Sequence, residues 1–246
     1  MAIGPWQNPG VSGLPPICQC MIVGAMPRKP WKSILYRYDV NNIPAILLPL
    51  FYLYGYGGAA VCYAYAILVH FTSKIEFEGE KYLASRPNYI FCHWHTYIIL
   101  YFVVFIRHHS HAWMQHPLWF MKVSHLLLRF IGVEKIILGS TGHHGHEAAD
   151  LLVESLKNGY STVLLPDGPG GPAFVAKKGV LHIALQSGIP ILPIRFQTAR
   201  VIQLKTWDKK KWPLPFCTIR VQYLEPIEVT ENTFEQAHHK LREALG

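Results

Sequence analysis

The first strong signal along the chain is a long uncharged run. No Asp, Glu, Lys or Arg occurs between Asp39 and Lys74, and residues 43–71 are almost wholly apolar or aromatic. A run of this kind is long enough for one membrane-spanning helix, which needs about 20 apolar residues. However, Pro44 and Pro49 break its first part, and Gly55, Gly57 and Gly58 interrupt its middle. Divided at Gly55, each half is too short to span. Tyrosines at 52, 54, 56, 63 and 65 suit the headgroup level. The pattern predicts a helical hairpin dipping into one leaflet, within a membrane-associated unit over residues 26–73, with a single span as the alternative. Residues 1–25 are rich in Gly and Pro and carry no charged side chain, which predicts a disordered tail. Met21 and Met26 stand just ahead of Arg28, Lys29, Lys32 and Arg37 and are candidate translation starts.

From Lys74 the hydrophobic period switches repeatedly between two and 3.6. Residues 74–80 alternate as an edge strand, and 89–92 form a short buried strand. Residues 97–106 are apolar all round, which fits a buried or membrane-facing helix. A helix over 118–131 follows, then strands at 135–138, 161–165 and 191–196, with helices at 146–157 and 177–186 between them. Residues 218–223 form a late strand and 234–245 a closing amphipathic helix. This order predicts an α/β domain over 74–246, with a mostly parallel central sheet flanked by helices.

Composition narrows the partners. Half the residues are hydrophobic, 15% are charged and the formal net charge is +8. A basic surface favours anionic partners. With 13% aromatics and no Lys/Arg repeat, membrane lipids are the expected partner and nucleic acid is not. The five cysteines contain no C-x-x-C pair, which fits reduced thiols on the cytoplasmic side.

Candidate chemistry concentrates in four segments. Ser161–Pro172 reads S-T-V-L-L-P-D-G-P-G-G-P. Its strand ends at Pro166, Asp167 opens a bend through Gly168, Gly170 and Gly171, and a helix follows Lys177 and Lys178. A strand, glycine loop and helix N-terminus present backbone N–H groups to an anion, although a plain turn has the same composition. H-W-H-T-Y, His93 to Tyr97, falls where a strand meets a helix, the edge at which α/β proteins collect ligands. A histidine there suits a general base; a packed aromatic turn is the other reading. G-H-H-G-H-E, 142–147, places His146 and Asp150 one helical turn apart but lacks the second histidine of a zinc helix, so no metal is expected. K-T-W-D-K-K-K-W-P-L-P-F, 205–216, is a basic aromatic loop suited to headgroups or simply to solvent.

Together these segments resemble the lysophospholipid acyltransferase superfamily. They are Gly139-Ser140-Thr141, the Asp167 loop, K-K-G-V-L-H-I-A-L-Q-S-G-I-P-I-L-P-I and W-D-K-K-K-W-P-L-P-F. The branch most similar is the one named domain of unknown function 374, which carries a D-G-P-R-G-P loop and a Trp-His pair like Trp94-His95. The resemblance covers roughly residues 74–229. It implies transfer of a fatty acyl group from acyl-CoA or an acyl carrier protein, as co-substrate and with no cofactor, to a hydroxyl or amine of a lipid acceptor. It also implies catalysis by His95 and Asp167. Acceptor or phosphate binding would fall to Gly139, Ser140, Thr141, Gly168, Gly170, Gly171, Lys177 and Lys178.

Three departures follow. Better-known members have Asp five positions after the histidine, where His93 and His95 are followed by Ile98 and Leu100. The imidazole then needs a backbone carbonyl or a distant side chain to orient it. Gly170 and Leu138 stand where arginines are usual, which points to an acceptor other than simple lysophosphatidate. The alternative is a catalytically silent lipid-binding or carrier protein of the same fold.

Overall fold

The structure, a computed structural model, describes residues 38–108, 110–140 and 144–246. The tail expected over 1–25, the candidate start methionines and the first part of the 26–73 unit lie outside the described residues. So does Thr141.

The expected hairpin over 43–71 is instead one unbroken helix, α1, Leu48–Thr72. Pro49 sits in its first turn, where a missing N–H costs nothing. Two of the three glycines, Gly55 and Gly58, face a neighbour. A Cβ at Gly58 would lie 2.7 Å from Val123 Cγ2, and one at Gly55 would lie 2.6 Å from Lys122 Cγ. They let α1 approach helix α3, Lys122–Phe130, closely enough for the burial of Phe51, Gly55, Ala59, Ala66 and Val69 to offset glycine's low helix propensity. The opposite stripe, with Leu50, Leu53, Val61, Leu68 and Phe71, is at least half exposed.

The remaining chain forms an α/β sandwich. The strands are β1 Lys74–Glu78, β2 Ile90–Cys92, β3 Ala112–Gln115, β4 Lys135–Leu138, β5 Thr162–Leu164, β6 Ile191–Thr198, β7 Val201–Gln203, β8 Lys211–Pro213 and β9 Thr218–Tyr223. Five of them pair in the order β1-β9-β6-β2-β5. Beyond β5 the sheet continues through a parallel bridge, His111 to Ser161, into the parallel pair β3-β4. The central pairs β2-β5 and β2-β6 are parallel. Among the strand pairs of the five-stranded sheet, β6-β9 is the antiparallel one, so β9 and the edge strand β1 run opposite to the rest.

Helices α2 Ile98–Val104, α4 Gly145–Lys157, α5 Gly179–Ser187 and α6 Phe234–Leu245 complete the layers. One core contains α1, α2 and α3 residues such as Ala59, Leu100, Tyr101 and Leu128. The other contains α4, α5 and α6 residues such as Leu152, Leu181 and Leu241. Ile191 and Leu192, adjacent in β6, belong to opposite cores, as the alternation of a doubly covered strand requires. Strands β3, β7 and β8 were not anticipated. β3 lies in a histidine-rich stretch, and the β7-β8 hairpin surrounds a lysine run ending in Pro213, neither of which has strand composition.

The α1-α3 contact makes a sharp contrast. Gly58→Leu should lower stability in detergent by about 1–3 kcal/mol through overpacking. Gly57→Leu, whose Cβ meets nothing within 4 Å, should be neutral or slightly stabilising. Thermal unfolding of the two variants reads the difference.

Candidate active site

Strand β2 ends at Cys92, and the chain leaves the sheet through His93 and Trp94 into a single turn of 3-10 helix, His95–Tyr97. Next to it, β5 ends at Leu164. Gly168 N–H donates to Leu165 O and Lys177 N–H to Pro166 O, so the chain folds back on itself directly after the sheet edge. Because β2 and β5 are parallel neighbours, both departures occur at the same carboxyl edge.

This adjacency joins two residues 72 positions apart. His95 Nδ1–H donates to Asp167 Oδ1 at 2.7 Å, and the His95 backbone N–H reaches the same oxygen at 3.3 Å. The Asp167 side chain is wholly buried, and that of His95 is 19% exposed. The buried acceptor selects the Nδ1–H tautomer. Nε2 makes no hydrogen bond among the described residues. Asp167 Oδ2 is buried without a donor there, so the carboxylate relies on His95 for compensation. The orienting carboxylate missing at five positions after the histidine is thus supplied across the sheet by the glycine-loop aspartate.

His93 differs from its neighbour. It is fully buried, stacked 5.0 Å from Tyr101 and edge-on to Phe196. Burial lowers its pKa from 6.5 to about 4, against the opposing bond of Nδ1 to Trp94 O. His93 is therefore a neutral packing residue at pH 7. Trp94 is buried too, its indole N–H donating to Leu245 O, which pins α6 beneath the turn.

The other expected residues fall into groups. A Cβ on Gly168 would be 3.1 Å from Lys177 Nζ, so the Lys177 ammonium lies over the loop beside Asp167. Lys178 does not face the loop: its Nζ pairs with Glu235 of α6 at 2.5 Å. Gly170 is exposed, with open space where a side chain would start. Gly171, at φ +65°, has the ring of Trp207 directly against it, 2.4 Å from where a Cβ would sit. Gly139 and Ser140 follow β4 at the same sheet edge, with β3 between them and β5. Gly139 N–H bonds Gln115 O, and Ser140 Oγ is buried with no partner among the described residues. No hydrogen bond joins them to His95 or Asp167 there. Two surface clefts, one beside His70, Phe71 and Arg107 and one between β4 and α4, lie away from the pair.

Sequence reasoning missed the part played by residues 205–216. Trp207 packs on His95 with ring centres 5.2 Å apart, and the wholly buried Asp208 offers its carbonyl to Thr96 Oγ1 at 2.6 Å. The signal was the Trp-Asp pair itself, an acidic residue set ahead of a lysine run.

The chain adopts an α/β fold that it shares with a solved lipid acyltransferase. The crystal structure of the 1-acyl-sn-glycerophosphate acyltransferase PlsC from Thermotoga maritima matches it with a TM-score of 0.50 at 16% identity, over 76% of this chain and 78% of that one. No family model matches. The uncharacterized protein RP090 of Rickettsia prowazekii (strain Madrid E) is 30% identical over 171 residues, 67% of this chain and 78% of the relative. The chain belongs to the family of that protein.

The His93 environment sets a pH response. The unfolded imidazole titrates near 6.5 and the folded one near 4, so between these values the unfolded chain holds more protons. Stability should fall as pH drops through that window, by roughly 3 kcal/mol from this group. His93→Phe keeps the ring contacts and should flatten that part of the curve in thermal unfolding from pH 7 to pH 4.

Proposed function

We propose that the protein transfers a fatty acyl group from an acyl thioester, acyl-CoA or acyl carrier protein, to a hydroxyl or amine of a membrane lipid. The observation that carries this reading is the 2.7 Å contact between a part-exposed imidazole and a wholly buried carboxylate at the carboxyl edge of the sheet. In the reaction His95 Nε2 takes the acceptor proton as the acceptor oxygen or nitrogen attacks the thioester carbonyl carbon. A tetrahedral oxyanion forms and collapses, the C–S bond breaks, and the thiolate leaves with the proton from His95. The products are an ester or amide and a free thiol. Asp167 holds the ring in the productive tautomer and stabilises the transient imidazolium. Lys177 and the Gly168–Gly171 loop bind the acceptor headgroup or a phosphate. With Gly170 and Leu138 in place of arginines and Lys178 occupied by Glu235, the loop offers little bidentate phosphate recognition. A glycolipid, aminolipid or other hydroxylated lipid fits this site better than lysophosphatidate. The loop and the Trp-His pair favour membership of the domain of unknown function 374 branch.

Helix α1 supports membrane association. Residues 45–72 are long and apolar enough to cross a membrane, and 17% of the most apolar stretch is buried. Yet α1 is docked along its length, from Gly55 on Lys122 to His70 on the Val103 carbonyl. The reading that suits both facts is a helix lying in the membrane plane, its outer stripe among the acyl chains. Arg28, Lys29, Lys32 and Arg37 ahead of it favour the anionic cytoplasmic leaflet. A catalytically silent lipid carrier is the second reading, favoured by the position of the two clefts away from His95.

Radiolabelled acyl-CoA with a total lipid extract tests catalysis. Wild type should form labelled lipid, His95→Ala should form none, and Asp167→Asn should retain about 10⁻²–10⁻⁴ of the rate. Equal product from wild type and His95→Ala would reject His95 as the base, and no product from either would support the carrier. Separately, Leu53→Glu with Val61→Glu and Phe71→Glu should abolish flotation with anionic vesicles while leaving the protein folded in detergent.

A further inference from the structure

The loop between β7 and β8 is tied down more firmly than a headgroup anchor requires. Asp208 is completely buried, with its carboxylate paired to Lys210 and bonded by Thr206 Oγ1 at 2.5 Å. Its backbone carbonyl accepts the hydroxyl of Thr96, itself fully buried and next in sequence to His95. Lys211 lies over the Tyr97 ring, 5.0 Å from its centre. The loop is therefore fastened to the same 3-10 turn that carries the imidazole.

These ties hold Trp207, which is 42% exposed overall. One side of the indole meets Gly171, a contact that any Cβ would prevent, and the ring also meets His95. An exposed tryptophan held by a buried carboxylate and seated on a glycine has a specified position. That position is against the imidazole.

We propose that Trp207 is a positioning residue for His95: the indole is a wall that keeps the imidazole in place and keeps water from it. Asp208 and Thr96 hold that wall. A wall of this kind decides between two outcomes once a thioester is bound. Water can give its proton to Nε2 and attack the carbonyl carbon, releasing fatty acid and thiol, or the lipid acceptor can do so and receive the acyl group. Excluding water favours transfer. This consequence rests on the acyl-transfer reading, whereas the shielding of His95 does not.

Histidine carbethoxylation by diethyl pyrocarbonate, followed residue by residue with mass spectrometry on the full chain, separates the two. His239, whose side chain is 70% exposed, is the internal standard. Trp207→Ala should raise the His95 rate relative to His239 by about three- to tenfold, the size of one lost ring contact. Trp207→Phe should restore most of the protection. Thr96→Val, which removes the tether without opening a cavity, should raise the rate in the same direction with the fold intact by circular dichroism. An unchanged His95 rate in both Trp207→Ala and Thr96→Val would overturn the proposal. So would failure of Trp207→Phe to protect. In the acyl-CoA assay, Trp207→Ala should shift product from acyl-lipid toward free fatty acid. If wild type shows no turnover but the labelling pattern holds, the acyl-transfer reading fails and the wall stands.

Discussion

A carboxylate withdrawn completely from water is unfavourable unless donors meet it, and at Asp167 the donors are the ring and backbone N–H groups of His95. Much of the architecture around the site serves this contact. Strands β2 and β5 must be neighbours and parallel, so that both chains leave the sheet at one edge. The chain must turn sharply after Pro166, so that Asp167 points back across that edge. The His95 turn must stay short, because a longer excursion would carry the imidazole away from a carboxylate only one strand spacing distant.

The outer layer is linked to the same point. Tyr65 on α1 donates to Pro213 O and packs on Trp212, which places β8 against the apolar helix. From β8, Lys211 reaches Tyr97, and the preceding loop presents Trp207 to His95. A continuous set of contacts therefore runs from Tyr65 of α1 to the imidazole.

Within the fold shared with PlsC, an imidazole at the sheet edge of this chain meets its carboxylate from a distant part of the backbone. An imidazole acting as a base needs an anionic partner at Nδ1. A partner one helical turn away in sequence is local and easy to recognise. Here the carboxylate comes from the loop that follows the neighbouring strand. The loop's two demands, a buried acid at its start and an open, glycine-lined surface beyond, explain why Asp167 is hidden while Gly170 is exposed.

Much of the fold was legible in the residues alone. Alternation of apolar positions placed β4, β9 and α6 at their observed bounds and set the order that yields a parallel sheet, because a side chain's direction relative to its own backbone is a local property. The same logic put His95 at a strand end. The hairpin was misread because glycine lowers helix propensity locally, whereas the fate of Gly55 and Gly58 depended on α3 packing against them. The resemblance implies a phosphate-binding Lys178, but its partner Glu235 arrives from a distant helix. The pairing of Asp167 with His95 and the seat of Trp207 on Gly171 also belong to tertiary structure. Which strands become neighbours is settled by burial over the whole chain, and no local pattern records which of two distant side chains will meet.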